Sequence, residues 1–96
     1  MKVVNLRKEK YDVYIGRGSP FGNPMEIGTK IDGKPAAVNR DEAIAWYKAY
    51  FYERLKQQPK FKVEVEALRG KVLGCYCKPK ACHGDVIVEY LENTRL

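Results

Sequence analysis

Three cysteines and the chain's single histidine fall close together in the stretch GCYCKPKACHGDV, as Cys75, Cys77, Cys82 and His83. Three sulfurs and an imidazole nitrogen make an acceptable zinc set. The spacing argues against it. Zinc-binding cysteine pairs usually stand two to four residues apart in a turn. Cys75 and Cys77 are one residue apart on an expected strand, which would hold their Cα atoms about 7 Å apart on one face. The expectation is no metal and no cofactor, with Cys75, Cys77, Cys82 and His83 kept as the alternative ligand set. A second chemistry is nucleophilic. Cys82 at a helix N-terminus would have its thiolate stabilised by the helix dipole. His83 is its neighbour in sequence, and adjacent residues on a helix do not face each other. Cys82 and His83 are therefore catalytic candidates without an assigned base. An enzyme acting on nucleotides or modified bases could also draw on Asp85 or Glu89.

A third chemistry is anion binding, and it ranks first. A strand that runs into a short turn and then a helix leaves free backbone N–H groups at the helix start. In open α/β sheets, ligands bind beyond the carboxyl ends of the strands. Cys77, Lys78, Cys82, His83 and Gly84 are the candidate ligand contacts here. Gly84 would let a ligand approach the backbone. Asp85 works against this reading, because its carboxylate could cap the helix itself and repel an anion. The bland alternative is that the cysteines are small buried core residues.

The second informative stretch is YIGRGSPFGNP. Gly16, Gly18 and Gly22 fit neither the dinucleotide fingerprint nor a P-loop. The composition says more than the pattern. Arg17 offers a planar fork for phosphate or carboxylate. Gly18, Ser19, Gly22 and Asn23 complete a candidate site. Pro20 and Pro24 stiffen it, lowering the entropy cost of ordering. Phe21 either stacks on a base or, the favoured reading, plugs the core. Asn5 and Arg7 would join the same crevice if the first strand neighbours the strand at 71–77.

These residues need elements to position them. Residues 2–6 and 11–16 read as strands, with a β-hairpin between them one option. Residues 17–38 hold four glycines and three prolines, too many breakers for a helix. Phe21, Met25 and Ile27 can pin this loop, and Asp32-Gly33 suggests a turn. Asn39 should cap a helix, with Glu42 three residues on. That helix carries an apolar stripe of Ile44, Tyr47, Phe51 and Leu55 and ends before Pro59. Trp46, Tyr47 and Tyr50 are read as helix core rather than a base-stacking platform. Residues 60–70 read as a second helix stopped by Gly70. KVLGCYC reads as a central strand, and HGDVIVEYLEN as a helix burying Val86, Ile87, Tyr90 and Leu91. The fold class is α/β: one domain over 1–96, a single small sheet with helices packed on it and a Rossmann-like strand-turn-helix at the C-terminus.

The totals set bounds. The chain has 96 residues, a net charge of +6 and 45% apolar residues. Such a balance suits a globular domain and favours anionic partners: a nucleotide-like small molecule or, through a basic surface, nucleic acid. No run is long enough to span a bilayer, so no membrane is expected. MKVVNLRKEK does not read as a secretory signal, so free thiols in a cytoplasm are expected. A chain this short often gains stability from a partner, and a homo-oligomer would help enclose a ligand.

The two motifs also carry a resemblance. VVNLR, YIGRGSPFGNP and GKVLGCYCKPKACHGDVIVEYL resemble the family designated domain of unknown function 4326, found in bacteriophages and bacteria. The match runs from about residue 3 to 91. Its motifs stand here as Gly16, Arg17, Ser19, Pro20, Gly22, Asn23 and Pro24, and as Cys75, Cys77, Pro79, Cys82, His83, Gly84 and Asp85. Tyr76 holds a position that is often tryptophan. The resemblance implies a phage-infected or bacterial cell as the setting and assigns no activity. Such a setting suggests one concrete role, sequestering a nucleotide-derived immune signal such as a cyclic nucleotide or an ADP-ribose derivative.

Overall fold

The structure, a computed structural model, describes residues 1–24 and 39–94. The expectations for Met25, Ile27 and the Asp32-Gly33 turn lie outside the described residues. In chain order the elements are β1 (Lys2–Asn5), β2 (Val13–Tyr14), α1 (Arg40–Gln57), α2 (Pro59–Glu66), β3 (Val72–Cys75) and α3 (Gly84–Asn93). The class is α/β, in line with the alternation of strand and helix patterns. β3 is the central strand, and β1 and β2 flank it, both parallel to it.

That topology corrects the hairpin option between β1 and β2. Both strands run the same way and do not touch, because β3 lies between them. The chain extends β1 through Leu6 N–H on the Cys75 carbonyl, 3.1 Å, and then turns at residues 7–9. It crosses β3 at Gly74 and re-enters the sheet at Asp12, whose N–H bonds the Val72 carbonyl at 2.8 Å. Gly74 makes the crossing feasible: a Cβ there would come within 2.6 Å of the Tyr11 ring. On the opposite face Leu73 and Cys75 alternate into the core.

Helix starts follow local chemistry. Asn39 Oδ1 accepts from the Glu42 N–H at 2.9 Å, the expected cap of α1. Pro59 stands in the first turn of α2, where a missing N–H costs nothing. Gly70 takes a positive φ of 82° in the turn that follows α2. The α1 stripe buries Ala43, Tyr47 and Phe51, while Ile44 and Leu55 are half-buried. Trp46 departs from the core reading: it is exposed and stacks on Tyr50 with centroids 4.9 Å apart. Phe51, Phe61, Val65, Leu73, Ile87 and Leu91 fill the space between helices and sheet. No helix among the described residues is long and apolar enough to cross a membrane.

Candidate functional site

The loop after β2 is held on α1. Asn23 Nδ2 donates to the Ala43 carbonyl at 3.1 Å, and the Tyr47 hydroxyl donates to the Phe21 carbonyl at 2.8 Å. Arg54, which no sequence motif marks, donates to the Pro20 carbonyl at 2.9 Å and lies 3.7 Å above the Phe61 ring. Within the loop, Ser19 Oγ donates to the Gly16 carbonyl and accepts from the Phe21 N–H. Gly18 makes the bend with φ 89°. Phe21 is 6% exposed, so it plugs the core and is not a stacking surface.

Opposite this loop lies the turn after β3. Asn5 Nδ2 donates to the Lys78 carbonyl at 2.8 Å, pinning the turn to the end of β1. The lysine itself pairs with Asp85, Nζ to Oδ1 at 2.6 Å. The second Asp85 oxygen accepts from the Cys82 N–H at 3.1 Å. Gly84 N–H points at Cys82 Sγ, 3.3 Å away. The Cys82 and Gly84 N–H groups and the Lys78 ammonium are thus engaged within the protein, with Asp85 reaching back from the first turn of α3 to the Cys82 N–H. Gly84 also has a packing role. A Cβ there would meet Ile15 Cδ1 at 2.6 Å and Val3 Cγ2 at 3.0 Å, so the glycine allows close helix–sheet packing.

Between loop and turn opens a cleft of about 570 Å³ at the carboxyl end of β3. Of the predicted residues it gathers Arg17, Asn23, Cys77 and His83. Gly18, Ser19 and Gly22 face a second hollow, shared with Arg17, Asn23, Tyr50 and Arg54. Asn5, Arg7, Phe21, Lys78, Cys82 and Gly84 are not in the cleft wall. Arg7 instead sits 5.1 Å from the Tyr76 ring centroid. The wall also includes Tyr14, Arg40, Ile44 and Tyr76, which sequence reasoning missed. Arg40 carries a signal of its own: a cation in the first turn of a helix opposes the helix dipole, so a reason beyond the helix is wanted. Its Nη1 reaches the Ala81 carbonyl at 3.5 Å, across the cleft mouth.

Beside and beneath the cleft the thiols converge, with Cys75 and Cys77 in its wall and Cys82 buried behind them. Cys75, Cys77 and Cys82 have sulfurs all within 4.8 Å of one another. The argument that Cys75 and Cys77 are held apart on one strand face fails, because β3 ends at Cys75 and the chain turns. Cys75 and Cys82 share a contact of 2.7 Å between sulfurs. That hydrogen bond from Cys82 holds the Cys75 thiol below its ordinary range, aided by the N–H groups of residues 77 and 78. The same bond, then burial, pushes Cys82 upward. His83 is buried, and its Nε2 lies 2.6 Å from the Ile15 carbonyl. A carbonyl only accepts, so Nε2 carries the proton. Burial lowers the imidazole pKa despite that bond, leaving a neutral ring with its Nδ1 lone pair 3.8 Å from Cys82 Sγ.

The profile of the family described as "Domain of unknown function (DUF4326)" matches residues 2–93. The chain belongs to that family. It is 44% identical over 92 residues to the "Uncharacterized 12.4 kDa protein in nrdA-td intergenic region" of Enterobacteria phage T4, a match covering 96% of this chain and 78% of the phage protein. No solved structure matches the chain. Both stretches singled out in the sequence border the cleft, the first through Gly16, Arg17 and Asn23 and the second through Cys75, Cys77 and His83.

Proposed function

We propose that the cleft binds a phosphorylated, nucleotide-like small molecule. The observation that carries this reading is its charge. Arg17 and Arg40 line it, and no carboxylate stands among its described lining residues. Guanidinium groups match phosphate oxygens in geometry and keep their charge at any working pH. The volume lies in the range of small-molecule sites. Tyr14 and Tyr76, edge to face with centroids 6.2 Å apart, offer an aromatic wall for a base. The position, beyond the carboxyl end of a central parallel strand, is where open α/β sheets take ligands.

Binding is favoured over turnover because Cys82, the candidate nucleophile, is 1% exposed. Likeness to a phage protein supports a sequestering role in the cytoplasm of an infected cell, the ligand being a nucleotide-derived signal. The test is a calorimetric titration with nucleoside phosphates, cyclic nucleotides and ADP-ribose, with inorganic phosphate and a DNA duplex as controls. At least one phosphorylated nucleotide should bind, and Arg17→Ala and Arg40→Ala should each weaken it by about 1.5–3 kcal/mol, the worth of a hydrogen bond to a charged group. Binding of the duplex alone, with steep salt dependence, would move the assignment to nucleic acid. Equal affinity in both arginine variants would sink the cleft as the site.

A further inference from the structure

We propose that Cys75, Cys77 and Cys82 form a site for a thiophilic divalent cation of the zinc class, with the fourth position open to water or to a movement of His83 Nδ1. The thiols come from three places: the end of β3, the turn after it, and the residues before α3. Their sulfurs nevertheless lie within 4.8 Å of one another. A tetrahedral ion with sulfur at about 2.3 Å needs sulfurs roughly 3.8 Å apart, so side-chain adjustment suffices. The Cys75–Cys82 pair, at 2.7 Å, has to open and Cys77 has to close in.

Packing alone does not account for the cluster. A hydrogen-bonded thiol pair needs two sulfurs, and here a third is brought up to them from a half-buried turn. The surroundings also suit thiolates, the form that binds metal. Gly84 N–H is directed at Cys82 Sγ at 3.3 Å. Cysteines packed only against hydrocarbon would have no such donor. His83 stands next to this set rather than in it: its Nδ1 is near Cys82 alone, so it would have to draw in to serve as a fourth donor, although it is oriented as ligating histidines are, by giving its other N–H to a carbonyl. Its Nε2–H is held by Ile15 at 2.6 Å, and Nδ1 stands 3.8 Å from Cys82 Sγ. That separation is close to the one a nitrogen and a sulfur adopt on a shared tetrahedral ion. Cys75, Cys77 and His83 also reach the cleft wall, which gives an ion a path in. This site does not depend on the arginine cleft binding a nucleotide.

The experiment uses the full chain, reduced with a phosphine that is then removed without air. Zinc is titrated against a chromophoric chelator, and cobalt(II) serves as the spectroscopic probe. One equivalent per chain is expected, with thiolate-to-cobalt charge-transfer bands and the intense visible bands of a tetrahedral ion. Cys77→Ser, at the half-buried position, should stay folded by circular dichroism. It should lose more affinity than the roughly 10–100-fold that changes to outer-shell partners cost. His83→Gln should keep the charge-transfer bands. A reduced chain that takes up neither ion overturns the site, as does wild-type affinity in Cys77→Ser. If that variant does not fold, the cobalt spectrum of the wild-type chain decides: octahedral bands without charge transfer overturn the proposal.

Discussion

His83 Nε2 donates to the Ile15 carbonyl across 2.6 Å, joining the start of α3 to the chain just after β2 over a separation of 68 residues. His83 is the buried polar side chain of the described core, and its ring stands edge-on to Tyr47 with centroids 5.0 Å apart. Removing it leaves a buried carbonyl without a partner. His83→Ala should therefore cost about 1–3 kcal/mol from that unmet acceptor, before any cavity is counted. The pH dependence has a definite sign. Burial lowers the folded-state pKa below the ordinary 6.5, so the unfolded chain binds the proton more readily. The stabilisation is present above pH 6.5 and is lost as pH falls through the folded value. Urea unfolding of wild type and His83→Ala from about pH 7.5 to about pH 5 should show the gap between them narrowing as pH falls. A gap that widens in acid would contradict the neutral buried imidazole.

Much of this arrangement is legible in the amino-acid sequence. Asn39 and Gly70 mark the start of α1 and the turn after α2 because caps and positive-φ turns use few residue types. KVLGCYC marks a central strand because it is apolar on both faces. The pairing of the Arg17 loop with the turn after β3 follows from placing both at strand ends. Other features depend on contacts distant in sequence. Nothing local marks Tyr11 as the residue that crosses Gly74, so the sequence leaves a hairpin open. Nothing near Cys77 says that the strand stops at Cys75, and a continued strand would keep the thiols apart. Ser19 reads as a ligand donor, since a hydroxyl in a loop is indistinguishable by sequence from one that braces its own backbone.

Gly84 makes a sharp steric prediction. An added methyl would overlap Ile15 Cδ1 at 2.6 Å and press on Val3 at 3.0 Å, both in the seam between α3 and the sheet. Gly84→Ala should destabilise by about 1–3 kcal/mol, the usual cost of overpacking. Gly18→Ala is the contrast. Open space surrounds it, but its φ of 89° is unsuited to an L-residue, so a cost of about 1–2 kcal/mol is expected from backbone alone. Because the two losses arise at separate places, the double variant should be additive within about 0.5 kcal/mol in urea unfolding.

Asp85 holds two partners, and magnitudes decide which matters. Its ion pair with Lys78 involves an exposed carboxylate and a lysine only partly covered, a setting usually worth about 0–1 kcal/mol. Its bond to the Cys82 N–H satisfies a part-buried backbone donor just before α3, and a hydrogen bond to a charged group is typically worth about 1.5–3 kcal/mol. Asp85→Ala should therefore lower stability by more than Lys78→Ala does. Asp85→Asn should recover most of the loss, because an amide oxygen can still accept. Urea unfolding of the three variants makes the comparison. If Lys78→Ala proved as damaging as Asp85→Ala, the charge pair rather than the bond to Cys82 N–H would be the dominant contact.

Phe21 separates the two roles once open to it. Its ring is 6% exposed and packs on Phe61 with centroids 6.2 Å apart, while Tyr47 grips its carbonyl. Phe21→Ala should cost about 3–5 kcal/mol, enough to threaten a domain of ordinary stability. Phe21→Leu keeps most of the buried volume and should cost much less. On the proposed reading, nucleotide affinity of the cleft should be unchanged in Phe21→Leu once the protein is folded, since the Phe21 ring offers no face to the ligand. A base stacked on this ring would instead lose about 1–3 kcal/mol on removal of the aromatic face. Calorimetry on the leucine variant, at a temperature well below its melting point, distinguishes the two outcomes.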